Sequence, residues 1–265
     1  MSFVGAKNGA GVYQRIISMI PPHGVYVEPF AGTAAILRHK RPAGRSIVLD
    51  CDPDTIAALD GARSTVPNLE LIVGDGVEYL RRLPFGSGTD VFVYADPPYV
   101  RSTRRDSTRD YYGREWTDDD HRNFLAVAVD LPCRVLISGY WSTLYASVLE
   151  PAGWHATSFN ATTRGGLVEE WLWANYPLPP GRLHDYRYVG GDYADRWRIK
   201  KRQRSWLKML RAMPATERLA MLAAVIDAHG EEVRNYLGVG TVRGCPGEDP
   251  TAGGVGDRGH RPGCR

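Results

Sequence analysis

At 265 residues the chain is long enough for one sizeable α/β core with a modest addition, which excludes two full domains of ordinary size. Its 43% hydrophobic and 24% charged residues are ordinary for a chain that folds, and exclude a disordered or fibrous protein. A net charge of only +3 says little about partners, so any polyanionic ligand must be argued from where the basic residues sit.

Met1 to Gly11 is glycine-rich rather than a charged leader followed by an apolar stretch, and no apolar run approaches bilayer-spanning length. Cys51, Cys133, Cys245 and Cys264 lack the close paired spacing of zinc or redox sites. A cytoplasmic protein with reduced thiols, no membrane span and no metal is expected.

Short β-branched runs then alternate with helical patterns, as in a parallel sheet with crossover helices. Val25 to Glu28, Ser46 to Asp50, Leu69 to Val73, Asp90 to Ala95 and Arg134 to Ser138 are the predicted strands. Thr117 to Leu131 predicts a helix: Thr117 caps, three aspartates fill the first turn, and Phe124, Val127, Ala128 and Leu131 repeat at helical spacing. Thr157 to Asn160 and Trp171 to Asn175 predict two further strands, joined as an edge hairpin through Gly165 and Gly166.

From Asp195 the character changes. Arg196, Arg198, Lys200, Lys201, Arg202, Arg204, Lys208 and Arg211 crowd one stretch, with Trp197, Trp206, Leu207 and Leu210 interleaved. A second helix is predicted with Pro214 near its start, Leu219, Leu222, Ala223 and Ile226 on one face, and Gly230 just past its end. Gly238 to Arg265 has almost no large apolar residues and is expected to be disordered. The organisation expected is an α/β domain over 1–180, a basic helical extension over 181–237 and a tail over 238–265.

Asp96-Pro97-Pro98-Tyr99 follows the apolar run Val91 to Ala95, in the loop at a strand's carboxyl end where open α/β sheets keep their sites. An aromatic amine conjugates its lone pair into its ring and is a poor nucleophile until that pair is redirected. The Asp96 carboxylate and the Pro97 carbonyl can each accept one N–H bond and so aim the lone pair at an electrophile. Pro97 and Pro98 stiffen the turn and give no N–H, while Tyr99 offers a ring face for an extruded base. The alternative is a proline-rich turn closed by a buried tyrosine.

Glu28-Pro29-Phe30-Ala31-Gly32 follows the first strand, and Gly32 allows a ligand to approach the backbone at the strand-to-helix turn. Asp50 ends the second strand about twenty residues on, where doubly wound folds place a carboxylate on ribose hydroxyls. Asp75, after the third strand, can accept from an adenine amino group. Singly, Asp50 and Asp75 read equally as caps or turn formers; together they outline a nucleoside pocket.

These residues resemble the Dam-like family of DNA adenine-N6 methyltransferases, in the compact form found in phages and mobile elements. The resemblance spans Phe3 to Ala228 and rests on Glu28 to Gly32 and Asp96 to Tyr99, with weaker likeness at Phe3 to Lys7, Ser138 to Tyr140, Glu170 to Trp173 and Asn175-Tyr176. It implies an S-adenosylmethionine-dependent methyltransferase fold, a Rossmann-like α/β sandwich whose mostly parallel sheet ends in an antiparallel hairpin, with a small helical C-terminal extension. It also implies that Lys7 and Glu28 to Gly32 hold the cofactor's methionine moiety, Asp50 its ribose and Asp75 its adenine, while Asp96 to Tyr99 act on the base with no metal and no covalent intermediate.

In Dam a long target-recognition insert precedes the catalytic motif, whereas here little more than a helix and a strand separates Asp75 from Asp96. Recognition elements are therefore expected after Tyr99. Arg101, Arg104, Arg105, Arg109 and Arg114, with Tyr111 and Tyr112, are candidates for phosphates and base edges, as is the helix carrying Lys200 and Lys201. Both stretches also read as solvated surface. His121, His155 and His184 are expected to be structural. Two rivals stand beside the duplex-DNA reading: an rRNA base methyltransferase acting on guanine N2 or adenine N6, and an inactive DNA-binding protein of the same fold.

Overall fold

The computed structural model describes residues 7–9, 11–83, 90–110, 113–163 and 166–237. Phe3 to Ala6, Tyr111, Tyr112, Gly165 and the tail expected to be disordered lie outside them. In chain order the elements are α1 (Val12–Ile17), β1 (Val25–Glu28), α2 (Ala35–His39), β2 (Arg45–Asp50), α3 (Pro53–Ala58), β3 (Leu69–Val73), α4 (Gly76–Arg81) and β4 (Val91–Ala95). There follow α5 (Asp118–Asp130), β5 (Arg134–Gly139), α6 (Thr143–Leu149), β6 (His155–Thr163), β7 (Gly166–Ala174), α7 (Tyr193–Ala212) and α8 (Ala215–Leu237).

The strands form one sheet in the order β3-β2-β1-β4-β5-β7-β6. β1 to β5 pair in parallel; β7 is antiparallel to both β5 and β6, closing the edge with the expected hairpin. This is the expected α/β architecture, a mostly parallel sheet ending in an antiparallel hairpin. The inner strands read as continuous apolar runs because both faces of the sheet are covered. Strand alternation sends Tyr26, Val48, Phe92, Leu136 and Leu172 to one core with Ile16, Ile36 and Ile56. Val27, Ile47, Val93, Val135 and Trp173 go to the other, with Leu80, Phe124 and Leu149.

β1 and β4 are neighbours in the sheet, yet the chain leaves β1 toward β2 on one side and β4 toward β5 on the other. Such a reversal opens a crevice at the carboxyl ends of the two strands. Glu28 and Asp96 stand on that crevice.

Local chemistry sets the helix starts. α5 begins with a full capping box, the Thr117 hydroxyl accepting from Asp120 N–H while the Asp120 carboxylate accepts from Thr117 N–H. Asp52 and Asp75 cap α3 and α4 in the same sense, each accepting backbone N–H groups of the first turn.

One expectation is corrected. α8 does not end before Gly230; it runs on to Leu237, and the predicted stop is instead a kink at His229, φ −132°. One glycine weakens a helix without necessarily ending it. The chain divides into two compact units, Met1–Lys208 and Met209–Arg265. Residues 184–187 belong to the first unit: Asp185 is buried and accepts from Arg41 N–H at 2.8 Å, and His184 stacks on His23 with ring centroids 3.8 Å apart. In the second unit, Leu219, Leu222 and Ile226 of α8 are exposed.

Gly76 opens α4 directly against the turn after β1. A Cβ added there would collide with the Pro29 carbonyl oxygen and stand 2.8 Å from Phe30 Cε1. Gly76→Ala is predicted to destabilise the protein by about 2 kcal/mol, since a packed turn must shift to admit it. Chemical denaturation checks this; a loss below about 0.5 kcal/mol, the size of an ordinary surface substitution, shows that the turn yields freely.

Candidate active site

At the carboxyl ends of β1, β2 and β4 lies a cavity of about 820 Å³, a size suited to a nucleoside-bearing ligand. Every residue predicted for catalysis or cofactor binding lines it: Lys7, Glu28, Pro29, Phe30, Ala31, Gly32, Asp50, Asp75, Asp96, Pro97, Pro98 and Tyr99. Trp116, which sequence reasoning passed over, lines it too and meets the Phe30 ring edge-on at 5.2 Å.

One end is the turn after β1. Gly32 has φ +47°, a left-handed conformation that glycine adopts without a Cβ penalty, and nothing stands within 4 Å of the place a Cβ would take. Asp50 fixes this turn, accepting from Gly32 N–H at 3.0 Å through Oδ2 and from Asp52 N–H at 3.0 Å through Oδ1. Asp75 accepts from Val77 and Glu78 N–H through Oδ1 and from Arg114 at 2.9 Å through Oδ2. Burial pushes the Asp75 carboxyl up, but those bonds outweigh it and hold the group below its usual range. The cap reading of Asp75 is therefore realised, on the wall of the cavity.

The other end is a buried ionic cluster. Asp96 Oδ1 accepts from the Ser138 hydroxyl at 2.9 Å and pairs with Lys7 Nζ at 3.0 Å. Lys7 Nζ also pairs with Glu170 Oε1 at 2.6 Å, and the Tyr99 hydroxyl sits between them, accepting from Lys7 and donating to Glu170. Burial works against the Lys7 ammonium, yet Asp96 and Glu170 more than offset it and raise its pKa. Burial raises the Asp96 carboxyl, with Lys7 opposing.

Tyr99 is 7% exposed, with its ring edge-on to Tyr140 at 4.5 Å. It closes the turn as a buried tyrosine and borders the cavity at once.

Sequence reasoning did not name Glu170 or Ser138 as site residues, although a signal was present. Glu170, Leu172 and Ala174 alternate onto one face of β7, and the latter two are fully buried. A carboxylate on a buried face needs a partner, and buried acids are rare without one.

Glu28 ends β1, 2% exposed, and accepts from the Tyr26 hydroxyl at 2.8 Å. Burial lifts its pKa to about 8, so it holds a proton at neutral pH. Lys40 lies over the Tyr26 ring at 4.1 Å, and burial lowers its pKa to about 7.

The arginines expected at nucleic acid divide. Arg104 is corrected: its side chain is 5% exposed, paired with Glu115 at 2.6 Å and donating to the Tyr99 carbonyl, so it braces the Asp96 to Tyr99 loop rather than facing a phosphate. Arg101 pairs with Asp110 at 2.6 Å and Arg114 with Asp75. Arg105 and Arg109 are exposed, as are Lys200 and Lys201 on α7, where Lys201 Nζ lies 5.1 Å from the Trp197 ring. Trp141 is 48% exposed beside a shallow depression that includes Val100 and Thr103. His121 and His184 pack in aromatic clusters with Tyr145 and His23.

Among the described residues no group of three or more His, Cys, Asp or Glu is arranged to hold a metal ion, and no helix is long and apolar enough to cross a membrane.

No protein-family model matches the chain, and no curated protein matches it in sequence. Among solved structures it is similar to an rRNA methylase from Streptococcus thermophilus at 11% identity and TM-score 0.41, over 64% of this chain and 98% of that one. It is similar to a precorrin-6y C5,15-methyltransferase from Geobacter metallireducens at 14% identity and TM-score 0.42, over 65% and 93%. A third is a SAM-dependent methyltransferase from Agrobacterium tumefaciens, at 12% identity and TM-score 0.40 over 61% and 58%. The strand order and the cavity stand independently of these likenesses.

The buried Glu28 carboxyl predicts a pH dependence of stability. Between pH 4.5, its ordinary pKa, and about 8, the folded chain keeps the proton that the unfolded chain releases. Stability therefore falls as pH rises through that window and levels off above it. Glu28→Gln, an isostere of the protonated acid, is predicted to remove this component, leaving the variant more stable than wild type above pH 8. Thermal unfolding of both proteins across pH 5 to 9 checks it; parallel curves mean that Glu28 is ionised throughout.

Proposed function

We propose that the protein is an S-adenosylmethionine-dependent methyltransferase acting on the exocyclic amine of a nucleobase, adenine N6 in duplex DNA. The observation that carries this reading is the continuity of one cavity from the Gly32 turn to the Asp96 carboxylate. The residues present fit the cofactor. Gly32 is open to close approach, Asp50 offers a carboxylate at the second strand's end, and Phe30 and Trp116 supply apolar walls. When bound, the cofactor supplies an electrophilic methyl group.

The chain's own part is positioning and charge. Asp96 and the Pro97 carbonyl accept the two amine N–H bonds and turn the nitrogen lone pair out of conjugation. Ser138 and Lys7 fix the Asp96 carboxylate from behind, so little reorganisation is needed on binding. Methyl transfer leaves the amine nitrogen cationic, and such a cation is strongly acidic and passes its proton to water without a dedicated base, so orientation supplies most of the rate. A base in a duplex must first be flipped out, at a few kcal/mol. Exposed Arg105, Arg109 and Trp141 near the Asp96 to Tyr99 loop are suited to phosphate contact and base stacking that offset this cost.

Asp96→Ala is predicted to lower methyl transfer at saturating cofactor by on the order of a thousandfold. The test uses radiolabelled S-adenosylmethionine with unmethylated duplex DNA and, separately, structured rRNA, followed by nucleoside analysis. N6-methyladenine in the DNA, absent with the variant, supports the reading. Label only in rRNA transfers the same amine chemistry to an RNA base, and near-normal turnover by Asp96→Ala overturns the mechanism.

A further inference from the structure

The buried cluster beside the cavity holds one cation against two carboxylates. Lys7 Nζ pairs with Asp96 at 3.0 Å and Glu170 at 2.6 Å, and the three side chains are 6%, 18% and 6% exposed. Both acids are placed as acceptors: Asp96 takes the Ser138 hydroxyl, Glu170 the Tyr99 hydroxyl. Among the described residues the cluster thus sets two carboxylates against one cation, with no second cation bonded to it. The neighbouring Glu28 holds its proton at neutral pH and adds no charge, and burial lowers the Lys40 pKa to about 7, so Lys40 is only partly charged there.

A surplus buried charge is costly without a partner, because little water reaches it. Asp96 faces the cavity, so a cation bound there supplies the missing partner. Of the two forms of the proposed cofactor, S-adenosylmethionine carries a positive sulfur, whereas the product S-adenosylhomocysteine is a neutral thioether there. A methyl donor within reach of an amine bonded to Asp96 brings that sulfur within roughly 8 Å of the cluster.

We infer that Glu170 is a specificity-determining residue: by over-balancing Lys7 it makes the cavity prefer the cationic methyl donor to its neutral product. It does so from behind Asp96, through charge and through its hold on Lys7. The inference deepens the cofactor reading above and rests on it. It also gives the cluster a role in turnover, since the attraction disappears when the methyl leaves and the spent product is then held less firmly.

The test measures calorimetric dissociation constants of the full chain for S-adenosylmethionine and for S-adenosylhomocysteine, in wild type, Glu170→Gln and Lys7→Met. The quantity read is the ratio of the two constants, because damage to the shared binding surface weakens both ligands and leaves the ratio unmoved. Glu170→Gln is expected to shift the ratio roughly tenfold against the sulfonium, the size of a unit charge acting over this distance in a partly screened interior. Lys7→Met, which removes the cation, is expected to shift it the other way. Opposite shifts support the inference, and should Glu170→Gln fail to fold, the sign of the Lys7→Met shift decides alone. A ratio unchanged within about twofold in the folded variants, with both ligands still bound, overturns the inference and leaves the cofactor reading intact. Wild type that binds neither ligand overturns both.

Discussion

The Lys7 ammonium, shared between Asp96 and Glu170, is the interaction on which the site depends. It joins a residue preceding the first helix to the loop after β4 and to β7 in the antiparallel hairpin, elements with no local reason to meet. A buried ion pair is a poor source of net stability, since desolvation consumes most of the Coulombic gain, but removing one member of such a pair is expensive. Loss of Lys7 leaves two carboxylates facing each other, and loss of Glu170 leaves Tyr99 without its acceptor. The cluster therefore acts as a constraint, selecting the one arrangement in which Asp96, Tyr99 and the ammonium are all bonded.

The sheet supplies the other half of the constraint. Tyr26, Glu28, Tyr94, Ser138 and Glu170 lie on the same face of the sheet as Phe92, Leu136 and Leu172, and the polar ones gather toward the crevice. Each strand is apolar where helices cover it and polar where the crevice opens. The reversal of strand order between β1 and β4 decides where that opening is, and Asp50, bonded to Gly32, carries the same geometry out to β2.

Much of this was legible because it is written locally. A run such as Val91 to Ala95 with a turn after it specifies a covered strand, and Thr117 with Asp120 specifies a helix start without reference to anything else. Gly32 and Asp50 could be joined by spacing alone, because strand-to-helix turns recur at fixed intervals in such sheets. Glu170 could be suspected from its place among buried residues, but its partners lie far away in sequence, and no period relates them. Arg104 misled for a related reason. A guanidinium in an arginine-rich loop reads as surface, and only the tertiary position of Glu115 and the Tyr99 carbonyl draws it inward. Gly230 misled because a breaker residue states a preference of about 1 kcal/mol, which a helix as long as α8 absorbs as a kink.

The inward turn of Arg104 changes how the surface around the site is understood. With its guanidinium on the Tyr99 carbonyl, the segment after the Asp96 to Tyr99 turn is anchored to that turn instead of trailing from it. Arg114 is anchored in turn to Asp75 on the opposite wall, so the segment bearing Arg105 and Arg109 leaves and returns at the rim of the cavity. Charges held at a rim differ in consequence from the same charges on a free loop. The backbone that bears them is tied on either side by Arg104 and Arg114, which lowers the entropy that ordering it would cost. Net charge could not have revealed this, because what matters is where Arg104 and Arg114 are fixed.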